Sequence, residues 1–284
     1  MAQKIGVIGA GQMGSGIAQL FATYGHQTVV LDLQVAALDR AKSGIAKSLE
    51  KLAAKQVIAS DVPSQAMAKL SFASEFSALS ACDLVIEAIT EQESVKFETL
   101  KKLDSLLAPH AVIASNTSSI SITKLGANTK RPGQVIGMHF MNPVPIMKLV
   151  EIIPGIATDP KITEQITALA KSLAKTTVIS KDYPGFIVNR ILMPMINEAF
   201  RALTEGLATA EDIDAGMKFG TNQPMGPLAL ADFIGLDTCV AIMDVLHRGL
   251  GDDRYAPCSL IKKYVEAGFY GVKAGRGVYV YPPK

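Results

Sequence analysis

The sequence predicts an α/β domain built on a mostly parallel sheet, followed by a smaller all-helical domain. Three observations carry that expectation. Over roughly the first 180 residues, short runs rich in Val and Ile alternate with longer stretches rich in Ala, Leu, Lys and Glu, the pattern of strands joined by crossover helices. Asp182-Tyr183-Pro184-Gly185 then punctuates the chain with turn-forming residues. Beyond it, helical periodicity prevails.

Taken in order, Lys4–Ile8 reads as a buried strand and Ser15–Tyr24 as a helix. Further strands are expected at Thr28–Leu31, Leu84–Glu87, Val112–Ala114, Val135–Met138 and Thr177–Ile179, with another strand-like run at Met147–Val150. Helical patterns cover Gln34–Lys55 and Ser94–Leu107. The stretch from Gln34 to Ala68 is longer than one crossover helix needs, so it holds an extra helical excursion. Phe186–Leu203 has helical periodicity interrupted by Pro194. Thr209 is placed to cap the next helix, with Asp212 completing a capping box. Helix-like sequence then runs to Ala267, broken at Gly220–Pro227, and Gly268–Pro283 reads as an irregular tail rich in Gly and Tyr. The expected domains are residues 1–184 and 185–284.

Charge and cysteine content exclude several classes of function. With 28 Lys and Arg against 26 Asp and Glu, the formal net charge is +2, leaving no broad basic field for nucleic acid or an anionic membrane surface. Cys82, Cys239 and Cys258 form no close pair, which argues against a disulfide framework and a thiolate metal site. No uninterrupted apolar run reaches the ~18 residues of a membrane span, and the first residues lack a signal-peptide pattern. A cytoplasmic protein is expected, with neither nucleic acid nor membrane as partner and no metal.

Ile5-Gly6-Val7-Ile8-Gly9-Ala10-Gly11-Gln12-Met13-Gly14 is the most informative string. A strand feeds directly into Gly9-x-Gly11-x-x-Gly14, and a helix follows. Gly9 permits the tight turn, Gly11 lets a pyrophosphate approach the backbone, and Gly14 allows close helix–sheet contact. The helix N-terminus supplies amides and a positive dipole end for phosphate, and Gln12 and Met13 join the three glycines as candidate cofactor residues. The next strand ends at Asp32, 23 positions after Gly9. Its carboxylate suits an adenosine ribose and opposes the extra phosphate of NADP, while His26 and Arg40 are the nearby cations and neither follows it directly. The domain is therefore read as a Rossmann-type NAD-binding domain. Glu91 and Lys96, after the Leu84–Glu87 strand, fall where such a sheet presents its carboxyl ends; they either line the nicotinamide half of the crevice or serve as a surface charge or a helix cap.

Of four histidines, His139 stands out because it follows the Val135–Met138 strand and precedes Phe140-Met141-Asn142-Pro143. A general base must reach its proton at hydrogen-bond distance, and imidazole, with a reference pKa of about 6.5, suits an alcohol at neutral pH. A return strand would bring Glu151, twelve residues on, back to orient it; a packed, hydrogen-bonded histidine is the plain alternative. In Ser115-Asn116-Thr117-Ser118-Ser119 a hydroxyl or amide can hold a substrate oxygen, or the cluster can cap the next helix through Ser119 or Ser121. Lys47, Lys51 and Lys55 recur every four residues, giving either a solvated helix face or a rail for anions. No Gly-x-Ser-x-Gly elbow is present.

The glycine motif, Asp32, the 115–119 cluster, His139-Phe140-Met141-Asn142-Pro143-Val144-Pro145, Glu151, Gly185-Phe186-Ile187-Val188-Asn189-Arg190 and Gly226-Pro227 together resemble the 3-hydroxyacyl-CoA dehydrogenase family, its bacterial 3-hydroxybutyryl-CoA branch above all. The resemblance covers nearly the whole chain. It implies that His139 exchanges a proton with the 3-hydroxyl or 3-keto oxygen, that Glu151 orients it, that Ser118 binds that oxygen, and that Asn189 stabilises its developing charge from the second domain. It places Asn142, Glu91 and Lys96 near the nicotinamide or its ribose, and Ser48 and Lys55 against coenzyme A, whose phosphates Lys51 or Lys55 would pair with. The implied reaction interconverts (S)-3-hydroxybutyryl-CoA and acetoacetyl-CoA with NAD, in a homodimer formed through the helical domain. Its apolar Ile191, Leu192, Met195, Ile196, Leu230, Ile234 and Met243 either form that dimer surface or fill the domain core. An NAD-dependent sugar-acid dehydrogenase of the gulonate type and a non-catalytic NAD-binding regulatory module are the competing readings.

Overall fold

The computed structural model describes residues 3–282; Met1, Ala2, Pro283 and Lys284, at the outer ends of the two expected domains, lie outside the described residues. The chain divides into two compact units, Met1–Tyr183 and Pro184–Lys284.

In the first unit the elements are β1 (Lys4–Ile8), α1 (Gln12–Thr23), β2 (Gln27–Leu31), α2 (Val35–Ala54), α3 (Val62–Lys69), β3 (Leu70–Ala73), β4 (Leu84–Glu87), α4 (Glu93–Leu106), β5 (Val112–Ser115), α5 (Ile122–Ala127), β6 (Val135–Phe140), β7 (Leu149–Pro154), α6 (Pro160–Ser172) and β8 (Thr176–Ile179). Among the described residues, eight strands form one sheet in the order β3-β2-β1-β4-β5-β6-β7-β8. All neighbours are parallel except β6 and β7. β1, β4, β5 and β6 are buried almost throughout, which explains their near-continuous apolar sequence. The order reverses at β1, whose partners β2 and β4 lie on opposite sides; the carboxyl ends of β1 and β4 therefore mark the crevice where open sheets of this kind bind ligands.

Several expectations change in detail. The excursion after Gln34 is one long amphipathic helix, α2, which buries Leu38, Ala41, Ile45 and Leu49, followed by the short α3. The edge strand β3 was not expected. β6 runs on through Phe140, so His139 lies inside the strand, and β7 starts two residues later than its expected strand-like run. Ser121 is the cap of α5, its side chain accepting from the Lys124 amide at 3.2 Å. Asp182 adds bonds from the Ile122 and Thr123 amides and the Ser121 hydroxyl.

The second unit contains α7 (Val188–Thr204), α8 (Ala210–Gly220), α9 (Pro227–Ile234), α10 (Leu236–Leu250) and α11 (Ser259–Glu266). α7 continues through Pro194 without a break. Thr209 caps α8 by accepting from the Asp212 amide. The core gathers Met193, Ile196, Phe200, Leu228, Cys239, Met243 and Leu246. Ile196 and Met243 are therefore core residues rather than a surface, whereas Ile191 is exposed.

The tail is fastened by two buried carboxylates. Asp232 accepts from the amides of Val278 and Tyr279 and from the Tyr281 hydroxyl, each at 2.9 Å. Asp214 accepts from the Leu228 and Ala229 amides at the start of α9 and from the Tyr279 hydroxyl. Burial first, and then these bonds, push both tyrosine hydroxyls above their ordinary pKa, so they remain donors. No helix among the described residues is long and apolar enough to cross a membrane.

Candidate active site

β1 delivers the chain to Gly9, whose φ of +99° favours glycine and where a Cβ would lie 2.6 Å from the Ala88 carbonyl oxygen. A Cβ on Gly14 would overlap the Gly9 carbonyl oxygen, so α1 packs on the turn only because position 14 is bare. Gly11 differs: a Cβ there would meet nothing within 4 Å. It is also the N-cap of α1, and no side chain caps the helix. Asp32 ties the end of β2 to this turn, Oδ2 accepting from the Ala10 amide at 2.8 Å and Oδ1 from the Gln34 amide at 2.9 Å.

A cavity of about 550 Å³ opens beside the turn, within the range of small-ligand sites. Gly11, Gln12, Asp32, Ser48 and Asn142 line it, and Gln12 Nε2 donates to Asn142 Oδ1 at 3.1 Å. Gly9, Met13 and Gly14 do not line it; Met13 packs on the hydrophobic core. An uncapped helix N-terminus, an unobstructed glycine and a carboxylate at the next strand end fit the pyrophosphate and ribose of a dinucleotide. Sequence reasoning did not assign Ser15, Gln19, Gln34 or Arg40 to the lining; they are there because α1 and α2 pack side by side along the cavity. That packing is set by the tertiary fold, so no local sequence signal marks them. His26 is absent from the lining; it is buried, which lowers its pKa.

The carboxyl end of β4 carries an ionic network in which Lys96 and Glu87 are buried and Glu91 reaches the surface. Lys96, 1% exposed, places Nζ 2.6 Å from Glu87 Oε1 and 3.2 Å from Glu91 Oε2. Glu87 Oε2 accepts from the Ser115 hydroxyl at 2.6 Å. Glu91 Oε1 gathers the loop after β5, accepting from Thr117 Oγ1 at 2.5 Å, from the Ser118 and Ser119 amides at 2.9 and 3.1 Å, and from both serine hydroxyls. Burial opposes charge on Glu91, but Lys96 and these donors outweigh it and hold its pKa below the ordinary carboxylate value. Ser118 is thus presented on a loop shaped around an anion. Asn116 Oδ1 accepts from the Phe140 amide at 2.9 Å, fastening the same loop to β6.

His139 and Glu151 are direct partners in the antiparallel register of β6 and β7. Their side chains stand on one face, with Nδ1 2.6 Å from Glu151 Oε2. His139 is 7% exposed and Glu151 fully buried. A carboxylate accepts only, so Nδ1 carries the proton and the lone pair resides on Nε2.

Comparison with known proteins follows the same division. The model of the 3-hydroxyacyl-CoA dehydrogenase NAD binding domain matches residues 4–183 and that of the 3-hydroxyacyl-CoA dehydrogenase C-terminal domain matches residues 185–281. The chain belongs to the 3-hydroxyacyl-CoA dehydrogenase family. A probable 3-hydroxybutyryl-CoA dehydrogenase of Deinococcus radiodurans is 51% identical over 98% of this chain and 100% of its own length. A 3-hydroxybutyryl-CoA dehydrogenase of Bradyrhizobium diazoefficiens is 51% identical over 98% of this chain and 95% of its own. The crystal structure of (S)-3-hydroxybutyryl-CoA dehydrogenase from Ralstonia eutropha matches with a TM-score of 0.96 at 48% identity, covering all of both chains. NAD is the cofactor of this family's N-terminal domain.

The remaining family-implied positions are distributed more widely. Lys51 and Lys55 are exposed, on α2 and just past its end, and neither lines the cavity that Ser48 lines. Asn189 is buried near the start of α7 in the second unit. Among the described residues, no group of three or more His, Cys, Asp or Glu is arranged to hold a metal ion.

Proposed function

We propose that this family member interconverts (S)-3-hydroxybutyryl-CoA and acetoacetyl-CoA, with residues 1–184 binding NAD and residues 185–284 serving the substrate and dimerisation. The observation that carries the reading is the buried His139–Glu151 pair, on the same sheet that presents the dinucleotide turn. NAD held at the glycine turn and Asp32 would supply the hydride acceptor for carbon 3 in oxidation, and NADH the hydride donor in reduction. His139 takes the hydroxyl proton at Nε2 as the carbonyl forms, then releases it to solvent; in reduction it delivers that proton to the new alkoxide. Glu151 holds the tautomer and stabilises the transient imidazolium.

Ser118 and Asn189 are assigned to the 3-oxygen of the substrate. Gly9, Gly11, Gln12, Met13, Gly14 and Asp32 form the turn that holds the pyrophosphate and adenosine ribose. Glu91 and Asn142 are assigned to the nicotinamide side, with Lys96 acting through the carboxylate it pins. Ser48, Lys51 and Lys55 are assigned to coenzyme A, the two exposed ammonium groups meeting its phosphates. Exposed Ile191, Leu207, Phe219 and Phe233 of the second unit support a homodimer, and a cytoplasmic setting suits three free thiols.

The test is turnover of acetoacetyl-CoA with NADH beside free acetoacetate and gulonate with NAD. Activity confined to the coenzyme A ester is expected. Preference for the free acids would point to a sugar-acid dehydrogenase, and NADH binding without turnover to a regulatory module.

A further inference from the structure

Lys175 is a buried lysine that the reaction above does not use. It is 7% exposed and lies immediately before β8. Among the described residues it makes no ion pair; its ammonium donates to two backbone carbonyls, Val144 at 2.6 Å and Met147 at 2.7 Å. Burial alone lowers its pKa. A buried cation is costly to keep unless its hydrogen bonds do something an apolar side chain cannot.

What those bonds hold is the connection from β6 to β7, residues 141–148, which joins the His139 strand to the Glu151 strand. It is a tight turn, in which the Ile146 and Met147 amides both donate to the Pro143 carbonyl. Asn142, Pro143, Val144 and Pro145 form one wall of the dinucleotide cavity. Val144 is buried and presses on α1 at Gly16, where a Cβ would lie 3.0 Å from the Val144 Cβ. The wall therefore meets the helix whose N-terminus faces the pyrophosphate, and Asn142 is bonded to Gln12 in its first turn. The Thr176 amide, next to Lys175, donates to the Lys148 carbonyl at 2.8 Å, so the turn is held at its middle and its C-terminal end from one place.

We infer that Lys175 is a positioning residue for the cofactor: by clamping the Val144 and Met147 carbonyls it fixes the 142–145 wall against α1. The inference rests on the cavity being the NAD site. Lys175→Met keeps the length of the stem and removes the donors. NADH titration by fluorescence, on the wild type and on the folded variant, is expected to show a Kd raised about tenfold or more, with KM for NADH following it. kcat at saturating NADH stays within about threefold and KM for acetoacetyl-CoA within about twofold.

A wild type that binds no NADH overturns the cavity assignment itself. Normal wild-type binding with an unchanged variant leaves that assignment standing and overturns the role of Lys175. An equal loss in both KM values and in kcat marks Lys175 as general scaffold and also overturns it. Should Lys175→Met fail to fold, hydrogen exchange of the wild type decides: NADH is expected to slow exchange at the Ile146 and Met147 amides, and unchanged exchange there overturns the proposal.

Discussion

Glu151→Gln isolates the charge that the His139 site depends on. Gln fills nearly the same volume and can accept from Nδ1–H through its amide oxygen, so what disappears is the negative charge 2.6 Å from the ring. Both partners are buried, so water cannot replace it. A hydrogen bond to a charged group contributes about 1.5–3 kcal/mol, which converts to a loss of roughly 10- to 150-fold in kcat. NADH affinity stays unchanged, because Glu151 does not line the cavity. The assay is NADH oxidation by acetoacetyl-CoA, with NADH titration alongside. In a His139→Ala background the Glu151→Gln change costs less than about twofold more, since the pair acts as one unit. A kcat within twofold of wild type, or full additivity in the double variant, would refute the dyad.

Gly11→Ala leaves the melting temperature unchanged but raises KM for NADH, whereas Gly14→Ala, which drives a methyl into the Gly9 carbonyl, destabilises the fold; equal effects in thermal melts would contradict the distinct roles of the two glycines. Asp32→Ala weakens NADH binding while KM for acetoacetyl-CoA holds, and parallel losses in steady-state kinetics would contradict the ribose assignment. Because Glu91 is held below the ordinary carboxylate value, its contribution is complete above that ordinary value and is lost as pH falls through the lowered one; amide protection at 117–119 is expected to survive mild acid, and collapse at the ordinary value would count against the network. Burial raises the Cys82 thiol to about 11 and Cys239 to about 12, so alkylation at neutral pH followed by mass spectrometry finds both untouched in the native protein.

The sequence announces β1, the glycine turn and α1 because each is specified locally: a buried apolar run, residues demanded by backbone geometry, and helix-forming residues next to them. The return of Glu151 to His139 is nearly as local, twelve residues within one antiparallel pair. β3 is harder to see because it is a four-residue, partly exposed edge strand placed directly after α3 with no turn residue between them. Lys96 and Lys175 look like surface lysines in sequence. Their burial depends on carboxylates and carbonyls supplied by other elements, up to 31 residues away for Lys175. Asp214 and Asp232 are obscure for the same reason, since the tail residues they bind lie 46 to 65 positions on. The lining contributed by Gln19 and Arg40 depends on how α1 packs on α2, which periodicity alone does not determine.

The central claim is that a buried histidine–glutamate pair on an NAD-binding sheet serves a coenzyme A ester. The most direct measurement is the initial rate of NADH oxidation with acetoacetyl-CoA, compared with free acetoacetate at equal concentration, for the wild type and His139→Ala. The account predicts rapid wild-type turnover that requires the coenzyme A moiety, and near-complete loss in the variant with NADH binding retained. Comparable rates with free acetoacetate, or substantial turnover without His139, would contradict it.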